Sequence, residues 1–256
     1  WCIGFFVDNE LSWGNETSLA EATLASPANQ PAKLVFLADL KAKYGDIARL
    51  NEAWSTEHVS WNTLLASTTP PDRDRAREDL VAFYRKTAET YFRTIRDAVK
   101  AAAPNHLYLG CRFAWVNDVV AKVSAQFCDV VSYNLYRDDV SNFRFPGGQD
   151  VPLIIGEFHF GALDRGLFHT GLRPTRDQNE RAARYESYVR GVLRHPQFVG
   201  CHWFKYMDQP ATGRALDGEN YQIGFVDLVD TPYPETIAAV RKVGYDMYRY
   251  RLAAGQ

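Results

Sequence analysis

Two glutamates stand where apolar segments end, in the pattern of a pair of catalytic carboxyl groups. Residues 1–7 are mainly apolar or aromatic and stop at a polar triplet that ends in Glu10, while residues 151–155 are followed by Gly156 and Glu157. Reactive groups of parallel α/β folds lie at the carboxyl ends of the strands, so these two side chains can meet at one edge of a sheet. One carboxylic acid and one carboxylate flanking a bond are the groups that hydrolyse a glycosidic linkage.

Composition and charge limit the other chemistries. The chain has 256 residues, 46% hydrophobic and 23% charged, which suits a globular domain with a substantial core. A net charge of −2 and the lack of a long Lys/Arg run argue against a nucleic-acid partner. No apolar stretch approaches the roughly 18 residues of a membrane helix, which argues against a membrane partner. No motif indicates a metal site or a cofactor, and the four cysteines lack Cys-x-x-Cys spacing, so we predict buried free thiols.

The order of the predicted elements indicates an α/β fold with parallel strands. Strands are predicted at 1–10, 106–111, 129–133, 151–157 and 198–204. Helices are predicted at 32–44, 46–54, from the turn at 70–72 to 103, and at 116–127, 177–194 and 234–251, with loops at 11–30 and 137–150. Alternation of strands and helices produces parallel βαβ units.

The number of strands predicts part of a larger fold. A (β/α)8 TIM barrel has eight strands in about 250 residues, whereas five are predicted here. We therefore expect residues 1–256 to be a single catalytic-domain fragment, the C-terminal part of a TIM barrel with strands 4–8 and their helices. The first and last strands should then expose their edges. Because the chain begins within a predicted strand and without Met, we expect a preceding segment, and the lack of a signal peptide does not bear on location.

Several segments resemble family 50 β-agarases. Residues 6–15, Phe-Val-Asp-Asn-Glu-Leu-Ser-Trp-Gly-Asn, and 156–161, Gly-Glu-Phe-His-Phe-Gly, carry the resemblance, as do 203–210 and 218–225. The wider glycosidase clan has (β/α)8 barrels with Asn-Glu on strand four and a nucleophilic Glu on strand seven. The resemblance implies hydrolysis of β-galactosidic linkages in agarose or a related galactan with retention of configuration, with Glu10 as acid/base and Glu157 as nucleophile.

Two alternatives remain open at this point. Residues 43–54 resemble family 42 β-galactosidases, which keeps a β-galactosidase or another retaining β-glycosidase in view. The missing strands would also suit a non-catalytic, sugar-binding barrel remnant. The resemblance implies a polysaccharide or oligosaccharide partner and a secreted or periplasmic location, and the oligomeric state is not indicated.

Further residues are predicted to bind substrate. The resemblance implies that Asn9 contacts the 2-hydroxyl of the sugar and that Tyr136 donates to the nucleophile, with Tyr133 as the competing choice. The tryptophans could stack on sugar rings, with core packing as the alternative, and the last loop, together with Asp217, could instead hold calcium through its oxygens. The remaining predicted substrate-binding residues are Trp13, Arg112, Trp115, Asn134, His159, Trp203, Asp208, Gln209 and Glu219.

Overall fold

The computed structural model describes residues 1–254, which divide into two compact units. The sheet unit contains Trp1–Glu10, Leu107–Ala114 and the described residues from Asp129 onward. The helical unit contains Leu11–His106 and Trp115–Cys128. Within residues 1–254, every helix is too short or too polar to cross a membrane. That the chain is one catalytic-domain fragment stays a prediction.

The sheet unit contains parallel strands that follow one another in chain order. They are β1 (Gly4–Phe5), β2 (Leu107–Tyr108), β3 (Val131–Asn134), β4 (Leu153–Phe158) and β5 (Phe198–Trp203). β1 pairs with β2, and β3–β4–β5 form a second group. Backbone hydrogen bonds from Val130 N to Tyr108 O (3.3 Å) and from Phe113 N to Ser132 O (2.9 Å) connect the two groups. The predicted α/β class and the parallel order are confirmed.

The first two strands are shorter than predicted, and the backbone turns sharply two to three residues after each of them. Asp8 has a φ of 64° and Gly110 a φ of 78°, values that are incompatible with extended strand geometry. Hydrogen bonding nevertheless continues past the strand ends, from Val7 N to Gly110 O at 3.0 Å. The chain therefore remains ordered while it changes direction at the edge where the polar residues begin.

The series of strands is curved and ends at β1 and β5. The ring of Phe6, just after β1, meets the ring of His202 on β5 edge-on at 5.8 Å. Apolar side chains near both ends are exposed: Ile3, just before β1, is 62% exposed and Val199 of β5 is 60% exposed. Between these ends, Leu109, Val130 and Ile154 form a buried apolar cluster.

The helices of the sheet unit are α7 (Gln178–Arg194) and α8 (Pro234–Ala254). Asp177 caps α7 as predicted, since its side chain accepts a hydrogen bond from Glu180 N at 2.8 Å. From α7, the buried Arg181 donates to Phe160 O at 2.9 Å and also to Gly224 O. Arg181 thus connects the loop that follows β4 to the loop that follows β5.

The helical unit contains six helices among the described residues. They are α1 (Ser18–Ala25), α2 (Pro31–Tyr44), α3 (Ile47–Trp54), α4 (Trp61–Ala66), α5 (Arg77–Ala102) and α6 (Asp118–Ser124). The end of α2 at Gly45, with a φ of 77°, and the cap of α3 by Asp46 confirm the predicted signals. The prediction of a loop over 11–30 was wrong for Ser18–Ala25, which form α1 and bury Ala20 and Leu24 on one face.

Two smaller sequence predictions also need correction. Helix α5 begins at Arg77 and not at the turn of 70–72, because the Asp72 side chain accepts from Arg75 N at 2.9 Å and closes a separate turn. All four cysteines are free thiols, but only Cys111 is fully buried and Cys2 is exposed. The prediction of buried thiols was therefore wrong for Cys2.

Candidate active site

Glu157 is a buried carboxyl group that accepts hydrogen bonds on both oxygens. It lies on β4 and is only 8% exposed. The hydroxyl of Tyr136 donates to Oε2 at 2.5 Å, and Nη2 of Arg112 donates to Oε1. Burial raises the pKa of Glu157 above its ordinary value, while the Tyr136 hydrogen bond and the Arg112 charge oppose that rise. Two donors therefore orient the group, and its pKa lies above that of an exposed glutamate.

Asn134 connects Glu157 to the second glutamate. Nδ2 of Asn134 donates to Glu10 Oε1 at 2.7 Å and to Asn9 Oδ1 at 3.3 Å. Its Oδ1 accepts from Arg112 Nε at 3.5 Å, and Arg112 in turn holds Glu157. The negative charge of Glu10 contributes to the raised pKa of Glu157. The two carboxyl groups thus belong to one hydrogen-bonded series, one of them buried and the other partly exposed.

The backbone at these residues is locally strained. Glu10 and Arg112 both have a φ of 54°, in the left-handed region that residues other than glycine rarely adopt. Such conformations cost about 1–3 kcal/mol and tend to occur at functional sites. The pairing of β3 with β4 also shifts register between Tyr133 and Asn134, which brings Asn134 opposite Glu157. Sharp turns and a strand irregularity therefore direct the polar side chains toward one another.

Gly156 is required by the close packing beneath Glu157. A Cβ atom at this position would lie 2.7 Å from Oδ1 of Asn134 and 2.8 Å from Nε of Arg112. Both distances are too short for a carbon atom that is not bonded to its neighbour. The absence of a side chain at 156 leaves the space in which Arg112 reaches Glu157.

The choice between the two candidate tyrosines is decided by their surroundings. Tyr136 is the residue that is hydrogen-bonded to Glu157, whereas Tyr133 packs between Phe113 and Phe143, with ring centroids 5.5 and 5.2 Å away. Burial and the adjacent negative charge of Glu157 raise the pKa of Tyr136. Its hydroxyl therefore stays protonated and remains a donor.

His159 occupies the interior and not the surface of the site. It is 1% exposed, and Nε2 accepts a hydrogen bond from Leu172 N at 2.8 Å. The proton must then lie on Nδ1, which is 3.2 Å from Phe204 O. Burial lowers the pKa of His159 to about 3, so the ring is neutral. Because the backbone engages both nitrogens, the prediction that His159 contacts substrate hydroxyls does not fit its position.

The tryptophans differ in their exposure. Nε1 of Trp203 donates to Ile223 O at 2.8 Å, and its ring stacks on Phe225 at 5.3 Å, which fits the alternative of core packing. Within the helical unit, Trp13 is buried against Phe92 at 5.6 Å, so a sugar-stacking role does not fit it either. Trp115 is 64% exposed, and its proposed contact with substrate stays a prediction.

Two residues of the loop after β5 hold the loop together from inside. Asp208 and Gln209 are both fully buried. Asp208 accepts from Gly224 N at 2.6 Å and from the hydroxyl of Tyr233 at 2.5 Å, and Gln209 Nε2 donates to Glu219 Oε2 at 2.7 Å. Direct substrate contact, predicted for Asp208 and Gln209, does not fit this burial.

The same loop contains a cation that the sequence patterns did not single out. Arg214 pairs with Asp217 and with Glu219 Oε2, the latter at 2.7 Å. Its guanidinium lies 5.6 Å over the ring of Phe204, and its charge lowers the pKa of Glu157. Asp217 and Glu219, two of the carboxylates suggested for the alternative calcium site, are therefore paired with a cationic side chain. Within residues 1–254, no group of three or more His, Cys, Asp or Glu side chains is arranged to hold a metal ion.

The chain was compared with protein families, curated proteins and solved structures. No family model matches the chain. It is 41% identical over 265 residues to "Beta-agarase B" of Vibrio sp. (strain JT0107), an alignment that covers 98% of this chain and 28% of the relative. The predicted resemblance to β-agarases is confirmed. The chain spans little more than a quarter of that relative's length.

Solved structures show the same similarity in three dimensions. A crystal structure of an agarase matches with a TM-score of 0.92 and 42% identity, covering 98% of this chain and 38% of that one. The structure of an exo-β-agarase matches with a TM-score of 0.92 and 41% identity, over 98% of this chain and 36% of that one. The α/β fold described above is therefore the fold of part of these agarase structures.

Proposed function

We propose that this chain carries the catalytic carboxyl pair of a retaining glycoside hydrolase of the agarase type, which cleaves β-galactosidic linkages in agarose or a related galactan. The arrangement of Glu157, held on both oxygens and connected through Asn134 to Glu10, is the observation that supports it. Because the chain spans 28% of Beta-agarase B, the activity is proposed for the protein that contains it.

In the first step, Glu157 is the nucleophile. Its carboxylate oxygen forms a bond to the anomeric carbon while the bond from that carbon to the glycosidic oxygen breaks, and Glu10 transfers its proton to the departing oxygen. Tyr136 and Arg112 hold Glu157 in place and favour its ionised form. Glu10, which is partly exposed, lies in a different environment, as two carboxyl groups with different roles require.

In the second step, Glu10 acts as a base. It removes a proton from a water molecule, whose oxygen attacks the anomeric carbon and releases Glu157 as a carboxylate, so the configuration is retained. Asn9 is assigned to the 2-hydroxyl of the same sugar. Its Oδ1 accepts from Asn134, which places the Asn9 amide beside Glu10.

The same proposal assigns the strands to a barrel. The five parallel strands correspond to strands 4–8 of a (β/α)8 barrel, with Glu10 after the first and Glu157 on the fourth of those present. Parallel order, chain-order neighbours and the curvature that brings Phe6 to His202 support this assignment. A retaining mechanism further requires the two carboxyl groups to lie about 5–5.5 Å apart.

Variants at the two glutamates test the roles. In the full protein, Glu157→Gln should reduce hydrolysis of agarose oligosaccharides by at least roughly 10³-fold. Glu10→Ala should be partly rescued by azide on a substrate with an activated leaving group, with a β-glycosyl azide as product. Glu52→Gln, at an exposed position of α3, is the control and should remain active.

The reaction products test the roles of the two glutamates, and the substrate preference tests the agarase assignment. Full activity in Glu157→Gln, or an azide product of inverted configuration, would contradict the assignment. Comparison of agarose oligosaccharides with an aryl β-galactoside separates the agarase proposal from a β-galactosidase, because an agarase should prefer the oligosaccharides.

A further inference from the structure

The sheet unit contains a cavity whose lining includes none of the residues that hold the two glutamates. Its volume is about 500 Å³, and it is lined by the loop after β4, the loop after β5 and the start of α8. Its polar lining includes Arg165, Asp208, Gln222 and Asp227. Volumes of roughly 300–1,000 Å³ are typical of sites that bind small molecules.

A series of hydrogen bonds determines how Gln222 faces this cavity. The carboxylate of Asp208 can only accept, so Tyr233 must donate its hydroxyl hydrogen to Asp208 Oδ2, at 2.5 Å. The Tyr233 oxygen in turn accepts from Nε2 of Gln222 at 2.9 Å. The amide of Gln222 is thereby oriented, with its nitrogen toward Tyr233 and its oxygen on the other side.

The side-chain oxygen of Gln222 is a buried hydrogen-bond acceptor without a donor among the described residues. Gln222 is 1% exposed, and no described residue donates a hydrogen bond to its Oε1. A buried acceptor without a partner costs about 1–3 kcal/mol, and a ligand that brings an O–H or N–H group into the cavity would remove this cost.

The charges around the cavity disfavour an anionic ligand. Arg165 already pairs with Glu235 at 2.5 Å. Asp227 accepts from Val229 N and Thr231 N, both at 2.9 Å, and these hydrogen bonds lower its pKa, so it is ionised at neutral pH. A carboxylate, phosphate or sulfate would therefore meet like charge in this cavity. A neutral molecule with hydroxyl donors fits better.

The remaining wall is apolar and partly rigid. Leu167, Leu228, Val229 and Pro232 line it, and the two hydrogen bonds to Asp227 hold the turn that carries three of them. Ligand sites combine such apolar surface with a few placed polar groups. A sugar ring offers the matching combination of hydroxyl edges and C–H faces.

We propose that this cavity is a secondary site for a neutral sugar unit of the galactan, which donates a hydroxyl to Oε1 of Gln222 and lays an apolar face against Leu228 and Val229. The identity of the ligand rests on the proposed function. None of the residues that line the cavity belongs to the series from Glu10 to Glu157. The site would hold a second stretch of polysaccharide without taking part in cleavage.

Calorimetric titration of the full protein tests the proposal. The probe is a four-sugar fragment of agarose, and Glu157→Gln is present throughout so that the probe is not consumed. Gln222→Leu should weaken one binding event at least tenfold and leave the others unchanged. Leu228→Trp, which replaces a lining leucine with a bulkier indole and leaves Gln222 unsubstituted, should do the same. Leu216→Trp adds the same indole at an exposed position and should have no effect.

The outcomes separate this inference from the proposed function. Unchanged titrations of both Gln222→Leu and Leu228→Trp, with both variants folded by circular dichroism, would overturn the secondary site. If the wild-type protein fails to hydrolyse agarose but both variants lose one binding event, the cavity site stands and the proposed function fails. If it hydrolyses agarose and neither variant loses an event, only the secondary site fails.

Discussion

The hydroxyl of Tyr136 donates to Oε2 of Glu157 at 2.5 Å, from a position 21 residues earlier in the chain. The bond lowers the pKa of Glu157 and so opposes burial, which raises that pKa above its ordinary value. Tyr136 itself remains a donor because burial and the adjacent carboxylate raise its pKa. This contact therefore contributes both to the orientation and to the pKa of Glu157.

Removal of this hydrogen bond should shift the pH dependence of activity. In Tyr136→Phe, the pKa of Glu157 loses a lowering influence and rises, so the acidic limb of kcat/KM against pH should move to higher pH. A hydrogen bond to a charged group contributes about 1.5–3 kcal/mol, so activity at neutral pH should fall roughly 10- to 100-fold. The matched control is Tyr133→Phe, and an equal shift in both variants would contradict the assignment to Tyr136.

Arg112 should not be replaceable by lysine. Its guanidinium contacts Asn134 Oδ1 at 3.5 Å and Gly156 O at 3.2 Å in addition to Glu157, a set of contacts that a single ammonium group cannot reproduce. Arg112→Lys should lower kcat by about 10²-fold. Because the positive charge is kept, the acidic limb of kcat/KM against pH should stay close to its wild-type position. Arg112→Met should lower kcat further and move that limb to higher pH. Pre-steady-state and pH-rate measurements check both, and wild-type kcat in Arg112→Lys would contradict the positioning role.

Gly156→Ala should damage the site more than a comparable substitution on the neighbouring strand. The added Cβ would displace the side chains of Arg112 and Asn134, because an atom of each lies within 3 Å of its position. We expect a loss of about 1–3 kcal/mol in the free energy of unfolding and a fall in kcat. At Gly200 on β5, the nearest atom to an added Cβ is Cδ1 of Ile154 at 3.4 Å, so Gly200→Ala is the control. Chemical denaturation and kinetics of both variants make the comparison, and equal losses would show that the effect is not local to Glu157.

His159 should make the protein less stable in acid. Its pKa is 6.5 when exposed and about 3 in the fold, so the unfolded chain binds more protons between these values. The contribution of neutral His159 is complete above about pH 6.5 and is lost as the pH falls toward 3, at up to about 1.4 kcal/mol per pH unit. His159→Gln should be less stable at pH 7 but should show a flatter decline below pH 6.5. Urea denaturation at several pH values measures this, and an equally steep decline in the variant would contradict it.

Much of the local structure follows from signals that act over a few residues. Asp46 and Asp177 cap their helices, and Gly45 ends one, because these residues satisfy backbone groups or adopt conformations within a single turn. The ends of two apolar segments likewise predict that Glu10 follows one strand and that Glu157 lies near the end of another. Helix α1 was missed because its helical signal comes from burial of Ala20 and Leu24 against the rest of its unit.

Only the tertiary structure decided which way each side chain faces and what it contacts. His159, Trp13, Asp208 and Gln209 stand near strand ends, as substrate-binding residues would, yet all four are buried. Their burial depends on neighbours distant in sequence, as does the hydrogen bond between Asn134 and Glu10, whose partners are 124 residues apart. By itself, the sequence determined the resemblance to β-agarases and the residue types at the strand ends. The packing of distant segments determined the hydrogen bonds and the burial that shift the pKa of Glu157, because desolvation and donor geometry exist only once those segments meet.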